Sequence, residues 1–446
     1  MLRTTIMCAL IIAACFPGVS AEESGATSTP TTINAGTVAG YVTTTDVREH
    51  AKIDLDIKDI EDAMKAQASG ALGTAYTEAQ TIYTNGKNSN GGTRTLAGFG
   101  IKKDEPFGKL FEDYKSAKNI TPHDVIAAAL AGADSSYGEF ATGSPASDHA
   151  FRSQLVKKNL KFQVLLLYAL HEIESAVGKY KAAADPASAT SQASIQKALD
   201  EWWVFYAGSL ETGTASGYGT YILAEKRSSF FGTDGEKVGN GGKSRVNKIL
   251  LAGTKQLQTL FKTAGNGPEI DGIVQCMRAQ LKVPVIQGCI MYAYKSDTSS
   301  AFPGTNSAAA RGELMSFCTG ALPYLHAVDP AAAEIVRAEV DVKTKKDANP
   351  SFTAIKGAFS AANLNKMGLS CADIGGFVDG SSSKTSATTK GSDFAQCQDG
   401  TISNTYADSN KCTGTWVNSS AHREKTGSII LSLVISIAAM LRTYAV

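Results

Sequence analysis

The sequence predicts a mainly α-helical protein, and three observations carry that expectation. Few windows alternate apolar and polar residues with a period of two, so strands find little support. Longer runs repeat apolar residues every three or four positions, as Ile53, Ile57, Ile60 and Met64 do. Helix-start residues also stand where a helix needs them: in "TPHDVIAAALAGA", Thr121 is an N-cap and Pro122 opens the first turn. The expected body is one compact helical domain over residues 45–377, with two packed helical halves left open, followed by a small disulfide-stapled tail.

The elements follow in order. Residues 1–21, "MLRTTIMCALIIAACFPGVSA", read as a signal peptide, with Arg3 as the charged end, an apolar core and Val19-Ser20-Ala21 as the cleavage site. Residues 22–44 are Ser/Thr/Gly-rich and expected to be flexible and extended. The stretch from His50 to Asn85 reads as helix, and "NGKNSNGGTRT" as a Gly/Asn loop. The clearest helix runs from Val156 to Tyr180, and further helices are expected near 193–210, 245–264, 268–282, 307–326 and 330–340. "DGSSSKTSATTKGSD" is low-complexity. It opens a Ser/Thr-rich stalk, residues 378–420, that holds Cys397 and Cys412, which were candidates to staple each other.

Residues 421–446 end in about fifteen apolar residues, short of the roughly 20 a spanning helix needs. Small residues at 418–421 and the spacer "HREKTG" precede them, the pattern of a GPI-anchor signal, with a short membrane helix as the alternative. Either places the protein at the cell surface or in the periplasmic space, on the outer face of the plasma membrane. Removal of the signal peptide leaves Cys276, Cys289, Cys318, Cys371, Cys397 and Cys412. An even number in a secreted chain favours three disulfides over free thiols, with the pairing open. Asn119 and Asn418 are glycosylation acceptors. A formal net charge of +1 and the lack of a basic stripe argue against a nucleic-acid partner.

Several catalytic motifs fail on their own terms. "HEIES" lacks the second histidine of H-E-x-x-H, because Ser175 stands there. "GEKVGNGGKS" has Lys237 where a phosphate-binding loop needs its first glycine, and no G-x-S-x-G elbow occurs. The helix around His171 is more informative. Leu166, Leu170, Ile173, Val177 and Tyr180 form an apolar stripe, and Glu172, Ser175 and Lys179 fall opposite it and are expected in solvent. His171 and Glu174 are neighbours flanking the core. They form either a structural pair or, since imidazole plus carboxylate suits iron or zinc, part of a metal pocket. A second dense region, "EWWVFYAGSLETGTASGYGTYILAEKR", gathers acids, phenols and cations between Glu201 and Arg227. A hard ferric ion prefers such oxygen donors; an aromatic packing corner with solvated charges is the plainer alternative.

Three stretches carry a resemblance: "FYAGSLE…GYGTYILAEKR…F", "VPVIQGCIMYAYKSD" and "KMGLSCADIGGF". In this order they resemble the phytotransferrins, algal iron-assimilating surface proteins, over residues 45–377. The resemblance implies secretion, induction by low iron, capture of ferric iron together with carbonate, and uptake by endocytosis. H-x-x-E at His171 and Glu174 is also similar to the motif of imelysin-like bacterial iron-uptake proteins. The family commonly carries Cys where Ser228 and Asp234 stand, so a local disulfide is missing. Taken together, the expectation is a non-enzymatic ferric iron-binding protein for iron acquisition that releases its cargo on acidification. Its ligand pool is His171, Glu174, Tyr206, Glu211 and Tyr221, with His50, Asp54 and Tyr292 as a second tier. Arg227 and Lys226 are the candidates for the synergistic carbonate. A structural surface-coat glycoprotein and an imelysin-like metal-dependent hydrolase are the rival readings.

Overall fold

A β-hairpin comes first among the described residues, β1 (Thr37–Val38) pairing antiparallel with β2 (Tyr41–Val42). The computed structural model describes residues 36–66, 76–100, 113, 122–132, 145–234, 244–298, 307–341, 349–376 and 412. Helices follow: α1 (Arg48–Ala51), α2 (Ile53–Ala66), α3 (Thr77–Asn85), α4 (Leu96–Phe99), α5 (Pro122–Ala131) and α6 (Pro145–Asn159). Next come α7 (Leu166–Ala182), α8 (Ala189–Ala207), α9 (Thr220–Phe231), α10 (Arg245–Leu260), α11 (Gly267–Leu281) and α12 (Val283–Ser296). The last are α13 (Ala308–Val328), α14 (Pro330–Val340), α15 (Phe352–Ala358), α16 (Ala361–Lys366) and α17 (Cys371–Ile374). The mainly helical fold class predicted from the sequence is the one found. The short hairpin falls in the stretch expected to be extended and flexible. It is stitched down instead: Tyr41 donates to Asp200 at 2.7 Å, and the Trp203 indole donates to the Val38 carbonyl at 2.8 Å.

The predicted Val156–Tyr180 helix is the centre of the molecule, but it is not regular. Between α6 and α7, Leu160–Leu165 forms a π-helical segment, whose wider turns shift the register of everything after it. Its Lys161 is buried and pairs with Glu61 at 2.6 Å, while its carbonyl accepts from Thr220. α7 lies against α8, and α6 lies against α13, which in turn packs on α12 and α14. The row Ile53, Ile57, Ile60 and Met64 is fully buried, as its spacing required.

Close approach and covalent linkage coincide at the α12–α13 contact. A Cβ on Gly288 would sit 1.9 Å from the Phe317 ring, so only glycine fits there. The next residue along, Cys289, is bonded to Cys318, with Cα atoms 4.6 Å apart. Closing that loop of 29 positions stabilises the fold by about 3–4 kcal/mol in the chain-entropy picture. Cys412 does not pair with Cys397. It is bonded to Cys276 on α11, 136 positions away, and is fully buried. The small tail is therefore stapled to the helical body rather than to itself, because burial against α11 outweighs proximity in sequence. Cys371 is also disulfide-bonded. The signal peptide, Asn119, Cys397, Asn418 and the C-terminal apolar stretch lie outside the described residues. Among the described residues, no helix is long and apolar enough to cross a membrane.

Candidate functional site

The region between Tyr206 and Tyr221 is built from the end of α8, a turn, and the start of α9. Glu211 is buried, and its carboxylate accepts the backbone N–H groups of Gly213, Thr214 and Ala215 on one oxygen and of Gly217 on the other. The Tyr206 hydroxyl, fully buried, donates to the Asn247 side chain. Asn247 in turn donates to the Tyr221 carbonyl and to Glu225, which also accepts from the Ser244 amide. Burial, then Glu225 and Glu211, raises the Tyr221 phenol far above its ordinary range; burial and Tyr221 do the same to Tyr206. Both phenols are therefore held neutral inside a network in which Glu211, Tyr206 and Asn247 already have partners.

The remaining expected residues are dispersed. Arg227 is buried, with its guanidinium 5.3–5.5 Å from the rings of Phe230, Tyr292 and Phe317 and Nη1 at 3.1 Å from the Met291 sulfur. Tyr292 stacks on Phe317, and Lys226 is half-buried on α9. Asp54, fully buried, accepts from the Ser209 hydroxyl and the Leu210 amide, so it fastens the end of α8. His50 and Asp54 do not share one helix, because the chain breaks between α1 and α2 at Lys52. Glu174 forms an ion pair with Arg278 of α11.

Glu172 is not in solvent as its place on the helical wheel suggested; it is buried. The wheel assumed one core-facing side, whereas α7 is also covered on its second side by α8. There Glu172 meets Glu201 of α8, close enough for each carboxyl to shift the protonation of the other. Around them stand His50 of α1, with Nδ1 at 2.9 Å from Glu201 Oε1, and Arg94, with Nη1 at 3.8 Å from Glu201 Oε2. Lys197 Nζ lies 3.8 Å from Glu201 Oε1. Tyr168, one turn before Glu172, is stacked face to face on Phe99 of α4 with centroids 3.7 Å apart. The His171 ring is 5.2 Å from that of Tyr168, so His171 borders this group.

The pair is chemically asymmetric. Burial, then the neighbouring Glu201, pushes the Glu172 carboxyl up to about 8. Burial alone would raise Glu201 too, but the hydrogen bond and charge of His50, with Arg94 and the Glu172 proton, hold it below the usual carboxylate range. Burial and Glu172 raise the Tyr168 phenol. One proton is thus shared by two carboxyl groups at neutral pH. The site is not sealed, since the side chains of Arg94 and His50 are 21% and 14% exposed.

Sequence reasoning singled out His50 and noted Glu201 within the dense region, but missed Glu172, Tyr168 and Arg94. The usable signal was a second acid beside His171 on a helix with little other charge. Among the described residues, no three His, Cys, Asp or Glu side chains stand close enough to hold a metal ion as they are placed.

Residues 17–392 match the sequence model of a family described as low iron-inducible periplasmic protein. No curated protein and no solved structure matches the chain.

Proposed function

The chain belongs to the low iron-inducible periplasmic protein family, and from that premise we propose that it is a ferric iron-binding protein of iron acquisition rather than an enzyme. The observation that carries the reading is the proton-sharing pair Glu172–Glu201, with His50 and Tyr168 beside it and a partly open rim. Ferric iron is a hard cation and takes carboxylate and phenolate oxygens readily. Entry of the ion offsets the desolvation of the buried carboxylates in place of the proton it displaces. Carbonate is the proposed companion anion, held at the rim by Arg94 rather than by the caged Arg227.

The same chemistry gives acid release. Glu172, Glu201 and Tyr168 bind protons in competition with the metal, while Arg94, Lys197 and Lys179 are the fixed positive charges facing them. Falling pH refills the pair and expels the ion, which suits unloading in an acidic endocytic compartment. Attachment to the outer face of the membrane through the C-terminal anchor completes the proposal. Titration of the purified full-length protein with ferric nitrilotriacetate, with and without bicarbonate, at pH 7.5 and pH 5, tests it. We expect one bound ion, weaker binding without bicarbonate and weaker binding at the lower pH. No specific binding under any of these conditions would overturn the reading.

A further inference from the structure

Arg94 is placed unlike an ordinary ion-pair arginine. An arginine beside a carboxylate normally docks its fork through two parallel hydrogen bonds. Here the guanidinium instead stacks over two rings, 5.6 Å from the centroid of Tyr168 and 5.2 Å from that of Phe205. Its Nη1 points at Glu201 Oε2 from 3.8 Å, too far for a hydrogen bond, and is buried with no hydrogen-bond partner among the described residues. The charge is therefore delivered to the pair without the arginine being fastened to it.

The chain before Arg94 is a tight turn, in which Thr93 bonds back to Asn90 through its amide and its hydroxyl. Arg94 follows Asn90, Gly91 and Gly92, all at positive φ, and a Cβ on Gly91 would touch nothing within 4 Å. Immediately after it, Thr95 caps α4 by accepting from the Gly98 amide. A hydrogen-bonded turn thus precedes the side chain, and a capped helix start follows it.

A permanent cation at this position conflicts with a second cation on the same carboxylates. Two positive charges about 4 Å apart repel strongly in a partly buried site. We propose that Arg94 is a resident stand-in for the cargo: it neutralises the Glu172–Glu201 pair in the empty protein and is displaced when the metal ion enters. This rests on the reading that the pair is the metal site, and it makes Arg94 a residue that sets affinity by competition. Once displaced from the carboxylates, the guanidinium is available to the accompanying anion.

The test is the affinity of full-length wild type and Arg94→Gln for gallium, a redox-silent trivalent probe delivered as its nitrilotriacetate chelate in bicarbonate-free buffer. Removing the competitor is expected to tighten gallium binding on the order of tenfold. Millimolar methylguanidinium, added to Arg94→Gln, is expected to return the affinity toward that of wild type. Arg94→Lys, which keeps the charge and loses the planar stacking, is expected to fall between the two and serves if the Gln variant folds poorly. Gallium binding by wild type with equal or weaker binding by both variants would overturn the inference and leave the function reading standing. Absence of gallium binding by all three proteins would sink the function reading, and the inference with it.

Discussion

Two groups of acids and phenols among the described residues invite comparison, and they differ in how far their polar atoms are already used. Around Tyr206, Glu211 and Tyr221, the carboxylate and hydroxyl groups are consumed by the protein's own amides, and the phenols are buried. Around Glu172 and Glu201, one proton is shared by two carboxyls, the nearest arginine makes no hydrogen bond through Nη1, and the rim is open. The same residue types thus act as a structural fastening in one place and as a candidate cation site in the other. What differs is how many donors the backbone supplies.

The comparison breaks first at Glu211. Replacing it with Gln turns one acceptor oxygen into an NH2 donor that faces backbone N–H donors, so stability should fall by about 2–4 kcal/mol. Ferric affinity of the folded protein should not change. Denaturant unfolding and metal titration of the same variant check both halves. Retained stability with lost binding would exchange the roles assigned to the two groups.

Glu174→Gln comes next. Its partner Arg278 is about 30% exposed on the side chain, so the uncompensated charge is partly solvated. The loss should be about 1–2 kcal/mol, smaller than for a fully buried pair. Iron binding is expected to stay within about twofold of wild type, the reverse of what the H-x-x-E reading of the sequence implies. A metal titration alongside thermal unfolding distinguishes the two.

Tyr168→Phe sharpens the comparison from the other side. The ring stack on Phe99 survives, so stability should move by less than about 1 kcal/mol. Ferric affinity should drop, and the charge-transfer absorbance of an iron phenolate should disappear from the visible spectrum.

The smallest effect is the pH dependence of the empty protein. Glu172 has a higher pKa folded than unfolded, so its proton stabilises the fold fully below the unfolded value of 4.5 and is lost as pH rises through about 8. Apo wild type should therefore lose stability across that window relative to Glu172→Gln, which carries no proton to lose. Glu201, whose pKa is depressed, acts at the acid end, where stability falls as pH drops below its unfolded value. Thermal midpoints of both proteins across pH 5–9 read the difference.

Much of the fold was legible in the sequence because it rests on local periodicity. The row from Ile53 to Met64 and the helices near 245–260 and 308–328 follow from spacing and caps. The candidate site was legible only in part. His171 and Glu174 drew notice as charge in an apolar run, yet the burial of Glu172 depends on α8 covering a second side of α7, and no single-helix wheel contains that. Arg94 sits in a Gly/Asn loop whose sequence says turn and nothing about the rings it reaches. The Cys276–Cys412 bond was equally hidden, since pairing across 136 positions is a property of packing.

The most direct test is to count protons. Calorimetric titration with ferric or gallium chelate near pH 7, in buffers of different ionisation enthalpy, gives the number released per ion bound. If the metal enters at the Glu172–Glu201 pair, wild type releases about one proton more than Glu172→Gln, and the variant binds at least tenfold more weakly. Equal proton counts with undiminished affinity in Glu172→Gln would contradict the account and place the cargo elsewhere in the protein.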